Sequence, residues 1–396
     1  MKNDTYNKNT PCWTFYEFFA GGGMARMGLG EKWQCLFAND FDHKKSHAYK
    51  QNWGDNVLLT LDVKQITTSN LPGNADLIWA SFPCQDLSLA GGGAGLKGDR
   101  SGTFWPFWDG VIDLINEDRA PSIIVIENVP STLTSHKGKD FLEISKALHS
   151  NGYRFGAVVI DAKLFIPQSR PRLFIIAIRE ELDLPDTVFT TVPSTLWHTK
   201  SLINAYNRFA EDLKKDWIWW NFNKPTTRTT KFADIIEDDP DSVSWYSKKE
   251  TNKLLSMMSD INREKVSAAM DAGCQMVGAI YKRTREDENG FKIQRAEIRF
   301  DDIAGCLRTP AGGSSRQVIM IVNGKSVKSR LISSRETARL MGLPDNYKLP
   351  LRYNEAYHLT GDGVVVPVVK HLSNQLLEPI LSNLVEQAKK QERKAA

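Results

Sequence analysis

Six short apolar runs, bounded by turn-forming residues, constrain this fold more than any other feature of the chain. They are "TFYEFFA", "CLFAND", "ADLIWASF", "SIIVIENV", "FGAVVIDA" and "RLFIIAIR"; among them "KKSHAYKQNW", "FWPFWDGVIDLINEDR" and "FLEISKALHSNGY" place apolar residues at helical spacing. Strands alternating with helices predict an α/β architecture, a parallel, doubly wound, Rossmann-like sheet with helices on both faces.

That rhythm stops near Glu180. From there to Lys328 tryptophans crowd in "DWIWW", acids in "EDDPD" and bases in "YKRTRED", and "TPAGGSSRQ" sets a glycine-rich turn between possible strands. This region reads as a separate, smaller, irregular and partly β domain, and 396 residues are enough for two cores. Farther on, "SSRETARLMGLPDNY" predicts a helix opened by Ser334 and stopped by Pro344. The tail "EQAKKQERKAA" reads as solvated and fraying.

Several classes are set aside by composition. No apolar run approaches the roughly 20 residues of a membrane span, and the polar start "MKNDTYNKNTPCW" lacks the apolar stretch of a secretory signal, so a cytoplasmic protein is expected. The five cysteines are an odd number, widely spread, with no Cys-x-x-Cys pair; neither a disulfide framework nor a metal site is expected. A net charge of +4 is too mild to identify a partner.

The chemistry concentrates at strand ends. In "EFFAGGGMARMGLG", Gly21, Gly22 and Gly23 follow the first strand and precede a helix, where missing Cβ atoms let a ligand approach the backbone. The spacing fits neither a P-loop nor the strict dinucleotide fingerprint. Asp40 ends the next strand about 20 residues later, where a carboxylate can bind ribose hydroxyls; the plain alternative is a solvated strand-end acid. Cys84 follows the strand "ADLIWASF", at the sheet edge where open α/β folds place ligands. Lone thiols are more often buried and inert, but Pro83, Gln85 and Ser88 around it argue against an apolar site. Pro83 stiffens the approach to the thiol, and the glycines from Gly91 to Gly95 loosen the loop beyond it.

The strand "SIIVIENVP" ends in Glu127 and Asn128. A carboxylate there is costly unless paired or protonated, so an upward pKa is expected, and a protonated carboxyl can donate to a ring nitrogen. A water-facing strand-end acid is again the alternative. In "PQSRPRLFIIAIR", Gln168, Arg170 and Arg172 alternate and are expected on one face of an entering strand, suited to carbonyl or phosphate oxygens; an edge salt bridge would account for either arginine alone.

Taken together, the chain resembles the S-adenosylmethionine-dependent DNA cytosine C5-methyltransferases of the bacterial modification type. The resemblance rests on five motifs in family order: Phe-x-Gly-x-Gly at Phe19, Gly21 and Gly23; Pro-Cys-Gln at Pro83 to Gln85; Glu-Asn-Val at Glu127 to Val129; Gln-x-Arg-x-Arg at Gln168 to Arg172; and Arg-Glu-x-x-Arg-Leu-x-Gly-x-Pro at Arg335 to Pro344. It implies a catalytic domain over 12–180, a target-recognition domain over 181–350 that enters a DNA groove, and a segment 351–396 returning to the catalytic domain. Cys84 would attack C6 of a flipped-out cytosine, Glu127 would hold N3, Arg172 would bind O2 and Arg170 would help position the thiolate. For the cofactor the resemblance implies Phe19 and Phe41 on the adenine, Asp40 on the ribose, Asp62 and Val63 at the adenine edge, and Gly21, Gly23, Met24, Pro83, Phe104 and Asp362 completing the pocket. Gln85, Ser88, Asn128 and Gln168 would meet the DNA or the base. Implied partners are double-stranded DNA and, acting separately, a cognate restriction endonuclease; the enzyme would be a monomer. One branch of the family modifies tRNA, and a catalytically silent DNA-binding relative is a further alternative. The chain departs from the family pattern at Ser81 for glycine, at Leu87 for phenylalanine, at "GDG" over 361–363 and at Cys306-Leu307 for Thr-Leu.

Overall fold

The computed structural model describes residues 13–83, 96, 101–286, 290–308 and 316–395. All six expected strands form, as β1 (Trp13–Phe18), β2 (Trp33–Asp40), β4 (Leu77–Ala80), β5 (Ile123–Asn128), β6 (Tyr153–Asp161) and β7 (Pro171–Arg179), joined by a short edge strand, β3 (Leu58–Thr60), that lacks a strong apolar signature. The sheet order is β3-β2-β1-β4-β5-β7-β6. Helices α1 (Met24–Leu29), α2 (His43–Trp53), α3 (Phe104–Asn116) and α4 (Lys139–His149) accompany it. β4 and β5 are buried at every position, which is why they read as unbroken apolar runs.

Pairings from β3 to β5 are parallel, but β7 runs antiparallel to β5, with Glu127 opposite Phe174 and Asn128 opposite Leu173. A parallel, doubly wound sheet was expected, and the sheet is parallel-dominated with β7 as an antiparallel strand. The intervening 162–170 is too short for the helical crossover that a parallel return needs. The reversal brings the start of β7 to the sheet edge where β5 ends.

The chain divides into two compact units, the first containing Met1–Ile160, Pro171–Lys224 and Val368–Ala396, the second Asp161–Arg170 and Pro225–Pro367. Residues 181–224, grouped by the sequence rhythm with the irregular middle, thus pack in the first unit. There β8 (Phe189–Thr190) pairs with β9 (Trp219–Trp220), near helices α5 (Lys200–Tyr206) and α6 (Glu211–Lys215). Trp217 and Trp219 of "DWIWW" join Phe141, Phe155 and Phe209 in the core beside the sheet. The tail expected to fray is helical, α12 (Glu378–Ala395), though its last turns are exposed. Lys32 pairs with Glu378 at 2.7 Å, and Trp33 Nε1 donates to Ser373 Oγ at 2.9 Å.

In the second unit, β10 (Met276–Glu286), β11 (Lys292–Arg299), β12 (Val318–Asn323) and β13 (Ser326–Leu331) make an antiparallel sheet ordered β11-β10-β12-β13. Helices α7 (Lys248–Ser256) and α8 (Asp260–Asp271) supply Leu254, Val266 and Ala269 to its core. The helix expected from "SSRETARLMG" is α9 (Ser334–Arg339), capped by Ser333 rather than Ser334: Ser333 Oγ accepts from Glu336 N, and Glu336 accepts from Ser333 N. Glu336 also pairs with Arg330 at 2.6 Å, both fully buried. α10 (Tyr353–Asp362) comes next, and α11 (Val366–Leu372) leads back to the first unit.

Candidate functional site

Strand order reverses between β1 and β4, and in open α/β sheets the crevice outside the carboxyl ends at such a point is where ligands bind. The ends of β2, β1, β4 and β5 carry Asp40, the glycine turn, residues 81–83 and Glu127 in that spatial order.

At the β1 end the backbone is forced into unusual conformations. Phe19 has φ +56, a strained value for a side chain of that size, and its ring meets Phe107 edge-on at 6.2 Å. Gly21 has φ +55, donates its N–H to Asp40 Oδ2 at 2.8 Å, and has open space where a Cβ would stand. Gly23 is required for a different reason: a Cβ there would fall 2.3 Å from Trp53 Nε1. It permits close packing against α2. Trp53 itself donates to Gly22 O at 3.2 Å and was not singled out from the sequence; a tryptophan closing a polar amphipathic helix was its only signal.

Asp40 is buried and also accepts from Asp42 N at 2.8 Å, while burial pushes its carboxyl above the usual range. Next to it Phe41 leaves 65% of its surface exposed, an apolar ring with nothing over it among the described residues. Met24 and Val63 are buried; Asp62 is exposed and caps a short 3-10 turn through Lys64 N. Phe104 is fully buried among Phe82, Phe107 and Trp108. An open glycine turn, an exposed aromatic ring and a carboxylate at the neighbouring strand end fit a nucleoside-bearing cofactor.

Glu17 is a further group that sequence reasoning passed over, the single acid in an apolar strand. It is buried, and its Oε1 accepts from Arg26 N at 3.3 Å, bracing α1 behind the glycine turn. Burial pushes its carboxyl up to about 8. Arg26 in turn reaches Tyr49 Oη at 3.0 Å and stacks on Trp53.

Cys84, Gln85 and Ser88 lie outside the described residues. The backbone leading to them does not. Asn128 Nδ2 donates to Phe82 O at 3.1 Å, its Oδ1 accepts from Val129 N at 2.8 Å, and Trp79 Nε1 donates to Ser81 Oγ at 3.1 Å. Asn128, expected as a base contact, is buried and holds the approach to Pro83. Leu96 anchors in the core, and its N–H donates to Asp140 Oδ1 at 3.2 Å.

Glu127 is nearly buried and is paired, with Arg172 Nε 3.2 Å from its Oε1. The antiparallel register of β7 makes this pairing, and it resolves the cost that an isolated strand-end carboxylate would carry. The three residues expected on one ligand face do not share one. Gln168 and Arg170 precede β7, belong to the second unit and are buried. Gln168 Nε2 donates to Leu340 O at 2.5 Å and its Oε1 accepts from Leu307 N at 3.1 Å. Arg170 donates to the carbonyls of Leu307, Gly361 and Gly363, each at 2.7 Å. These two side chains brace segments of the second unit. Asp362, between the two glycines, is exposed at the end of α10.

Comparison with known proteins bears on this arrangement directly. Residues 13–378 match the family model described as C-5 cytosine-specific DNA methylase. The chain is 25% identical over 362 residues to the Type II methyltransferase M.HhaI of Haemophilus parahaemolyticus, spanning 91% of this chain and 92% of that protein. It is 26% identical over 395 residues to the Type II methyltransferase M.HpaII of Haemophilus parainfluenzae, spanning 94% and 91%. Among solved structures, S. pombe Dnmt2 methyltransferase superposes with a TM-score of 0.59 at 16% identity, covering 94% of this chain and 99% of that one, a likeness of fold.

Proposed function

On the premise that the chain belongs to the C-5 cytosine-specific DNA methylase family and is a DNA cytosine-5 methyltransferase, we propose that it methylates C5 of a cytosine flipped out of a specific duplex DNA sequence, through a transient bond between Cys84 and C6. The observation that supports this most is the Glu127–Arg172 pair at the carboxyl edge of β5, beside a β4 exit that Asn128 holds in place. A cytosine ring has to be polarised at N3 and O2 while a nucleophile reaches C6, and an acid, a guanidinium and a thiol are the groups for those three tasks.

In the proposed sequence the Cys84 thiolate adds to C6, and Glu127 donates a hydrogen bond or proton at N3. The displaced electron pair makes C5 nucleophilic, and C5 would take the methyl of a sulfonium donor, whose carbon–sulfur bond would break with its electron pair kept on sulfur. Loss of the C5 proton then returns an electron pair to the ring, the C6–S bond breaks and Cys84 leaves as thiolate. Arg172 binds O2 and fixes Glu127. Extruding the base costs a few kcal/mol of lost stacking and pairing, met by contacts in the pocket.

Phe19, Phe41, Asp40, Asp62 and Val63 would hold S-adenosylmethionine, with Asp40 on the ribose and Phe41 over the adenine. When bound, the cofactor supplies an electrophilic methyl on a sulfonium. Gly21 keeps the turn open and Glu17 keeps α1 in place behind it.

Transfer of labelled methyl groups to duplex DNA, to tRNA, and by a Cys84→Ala protein tests the reading. Transfer to duplex DNA alone, lost in the variant, is expected. Transfer to tRNA alone, or none from the wild-type chain on any DNA, would overturn it.

A further inference from the structure

Three consecutive glycines, Gly21, Gly22 and Gly23, follow β1. Glycine gives up more backbone freedom on ordering than any other residue. A ligand that has to order such a turn loses affinity to it, unless the fold has ordered the turn beforehand. Main-chain bonds hold its two ends: Ala20 N donates to Asn39 O at 2.8 Å, and Gly23 N donates to Ala20 O at 2.8 Å. The Gly22 peptide between them is met by a side chain from another element.

That side chain comes from the end of α2. Tyr49 and Trp53 are four residues apart and so share one face of the helix, and Gly54, at φ +78, ends the helix directly after Trp53. The shared face lies on the glycine turn, because a Cβ on Gly23 would fall 2.3 Å from Trp53 Nε1 and 2.9 Å from Tyr49 Cε2. The indole has a single N–H, and it donates to Gly22 O at 3.2 Å.

The indole is held in turn by Arg26 of α1. The Arg26 guanidinium carbon lies 4.7 Å from the centroid of the Trp53 ring, and its Nη1 donates to Tyr49 Oη at 3.0 Å. The contacts close on themselves: the chain runs from the turn into α1, Arg26 reaches Tyr49 and Trp53, and Trp53 returns to Gly22. Packing alone does not call for this residue. A phenylalanine ring would also lie flat against Gly23; what tryptophan adds is a donor, and the donor meets a carbonyl of the turn.

From this closed set of contacts we propose that Trp53, oriented by Arg26, is a positioning residue for the methyl donor. It holds the Gly22 peptide in its ligand-bound conformation before S-adenosylmethionine arrives, so binding does not have to order the turn. The inference rests on the cofactor reading above and adds to it a side chain that acts on the ligand only through the backbone. The donor and its demethylated product differ by one methyl group, so the loss of Trp53 weakens both alike and leaves the chemical step untouched.

The test is steady-state methyl transfer to duplex DNA by the full chain, together with calorimetric titration of S-adenosylhomocysteine. Wild type is compared with Trp53→Phe, which keeps an aromatic ring and loses the N–H, with Arg26→Met, and with the double variant. Trp53→Phe should raise the KM for S-adenosylmethionine and the Kd for S-adenosylhomocysteine by one common factor of about 3–10, with kcat and the KM for DNA unchanged. Arg26→Met should raise both by about 2–5-fold. The double variant should match Trp53→Phe alone, because Arg26 acts through the indole. An unchanged KM in Trp53→Phe, a fall in kcat at constant KM, or a double variant whose effect is the product of the single ones overturns the proposal, while wild-type transfer from S-adenosylmethionine leaves the cofactor reading standing. A wild-type chain that neither binds S-adenosylhomocysteine nor uses S-adenosylmethionine overturns both.

Discussion

Arg170 and Arg172 stand two residues apart in one motif and do unlike work. Arg172 lies at the sheet edge against Glu127, partly open to solvent, and is the residue proposed above to bind the base. Arg170 is buried and donates to three backbone carbonyls of the second unit. The difference teaches that spacing along a strand indicates shared faces only after the strand has begun. β7 starts at Pro171, and the two residues of the motif before it take their geometry from the loop.

If this contrast is right, changes at the Glu127–Arg172 pair should read out in chemistry and changes at Arg170 in folding. Glu127→Gln keeps the shape of the side chain and should lower the methyl-transfer rate by about 10²–10⁴-fold with little change in melting temperature; single-turnover kinetics with calorimetry would show it. A stable Glu127→Gln protein with full activity would break the comparison from one side. Arg170→Met should destabilise the protein by about 3–5 kcal/mol, because three buried carbonyls lose charged donors, and urea unfolding would report it. Breaking the contrast from the other side requires an Arg170→Met protein as stable as wild type but inactive.

Glu17 sharpens the same distinction through pH. Its folded carboxyl is raised, to about 8, mainly by burial, so the folded state holds a proton that the unfolded chain releases near its ordinary value. Its contribution to stability is complete below that ordinary value and is lost as pH rises toward 8, a change on the order of a few kcal/mol. Glu17→Gln should flatten this part of the stability profile and be the more stable protein at pH 9. A profile identical to wild type would show that Glu17 is not held as described. The smallest effect is expected for Asn128→Ala, about 1–3 kcal/mol for the unpaired Phe82 carbonyl, with a rate loss exceeding the stability loss because the β4 exit loses its tether.

Much of the first unit was legible because its strands are buried on both faces and so appear as apolar runs; β4 and β5 are the clearest cases. The direction of β7 was also available, in the short 162–170 connection, but strand count alone pointed to a parallel sheet. "DWIWW" misled because tryptophans that fill a core look the same in sequence as those in an irregular domain; Trp217 and Trp219 pack in the first unit. Gly21, Asp40 and Glu127 were singled out by their position at strand ends, and Phe19 by the motif that carries the resemblance. Asn128, Gln168 and Arg170 each donate to backbone carbonyls, contacts that were not legible because a polar side chain gives no sign in sequence of which carbonyl it will meet. Trp53 and Glu17 escaped because their roles depend on contacts between elements, with Gly22 and Gly23 in one case and Arg26 in the other.

The most direct test of the account is capture of the enzyme on duplex DNA with 5-fluorocytosine at the methylated position, in the presence of S-adenosylmethionine. Fluorine at C5 blocks the final proton loss, so the sulfur–carbon bond cannot be broken, and peptide mass spectrometry should find the nucleotide attached to Cys84. Attachment to another residue, or continued methylation of ordinary DNA by a protein that the fluorinated duplex never traps, would contradict it.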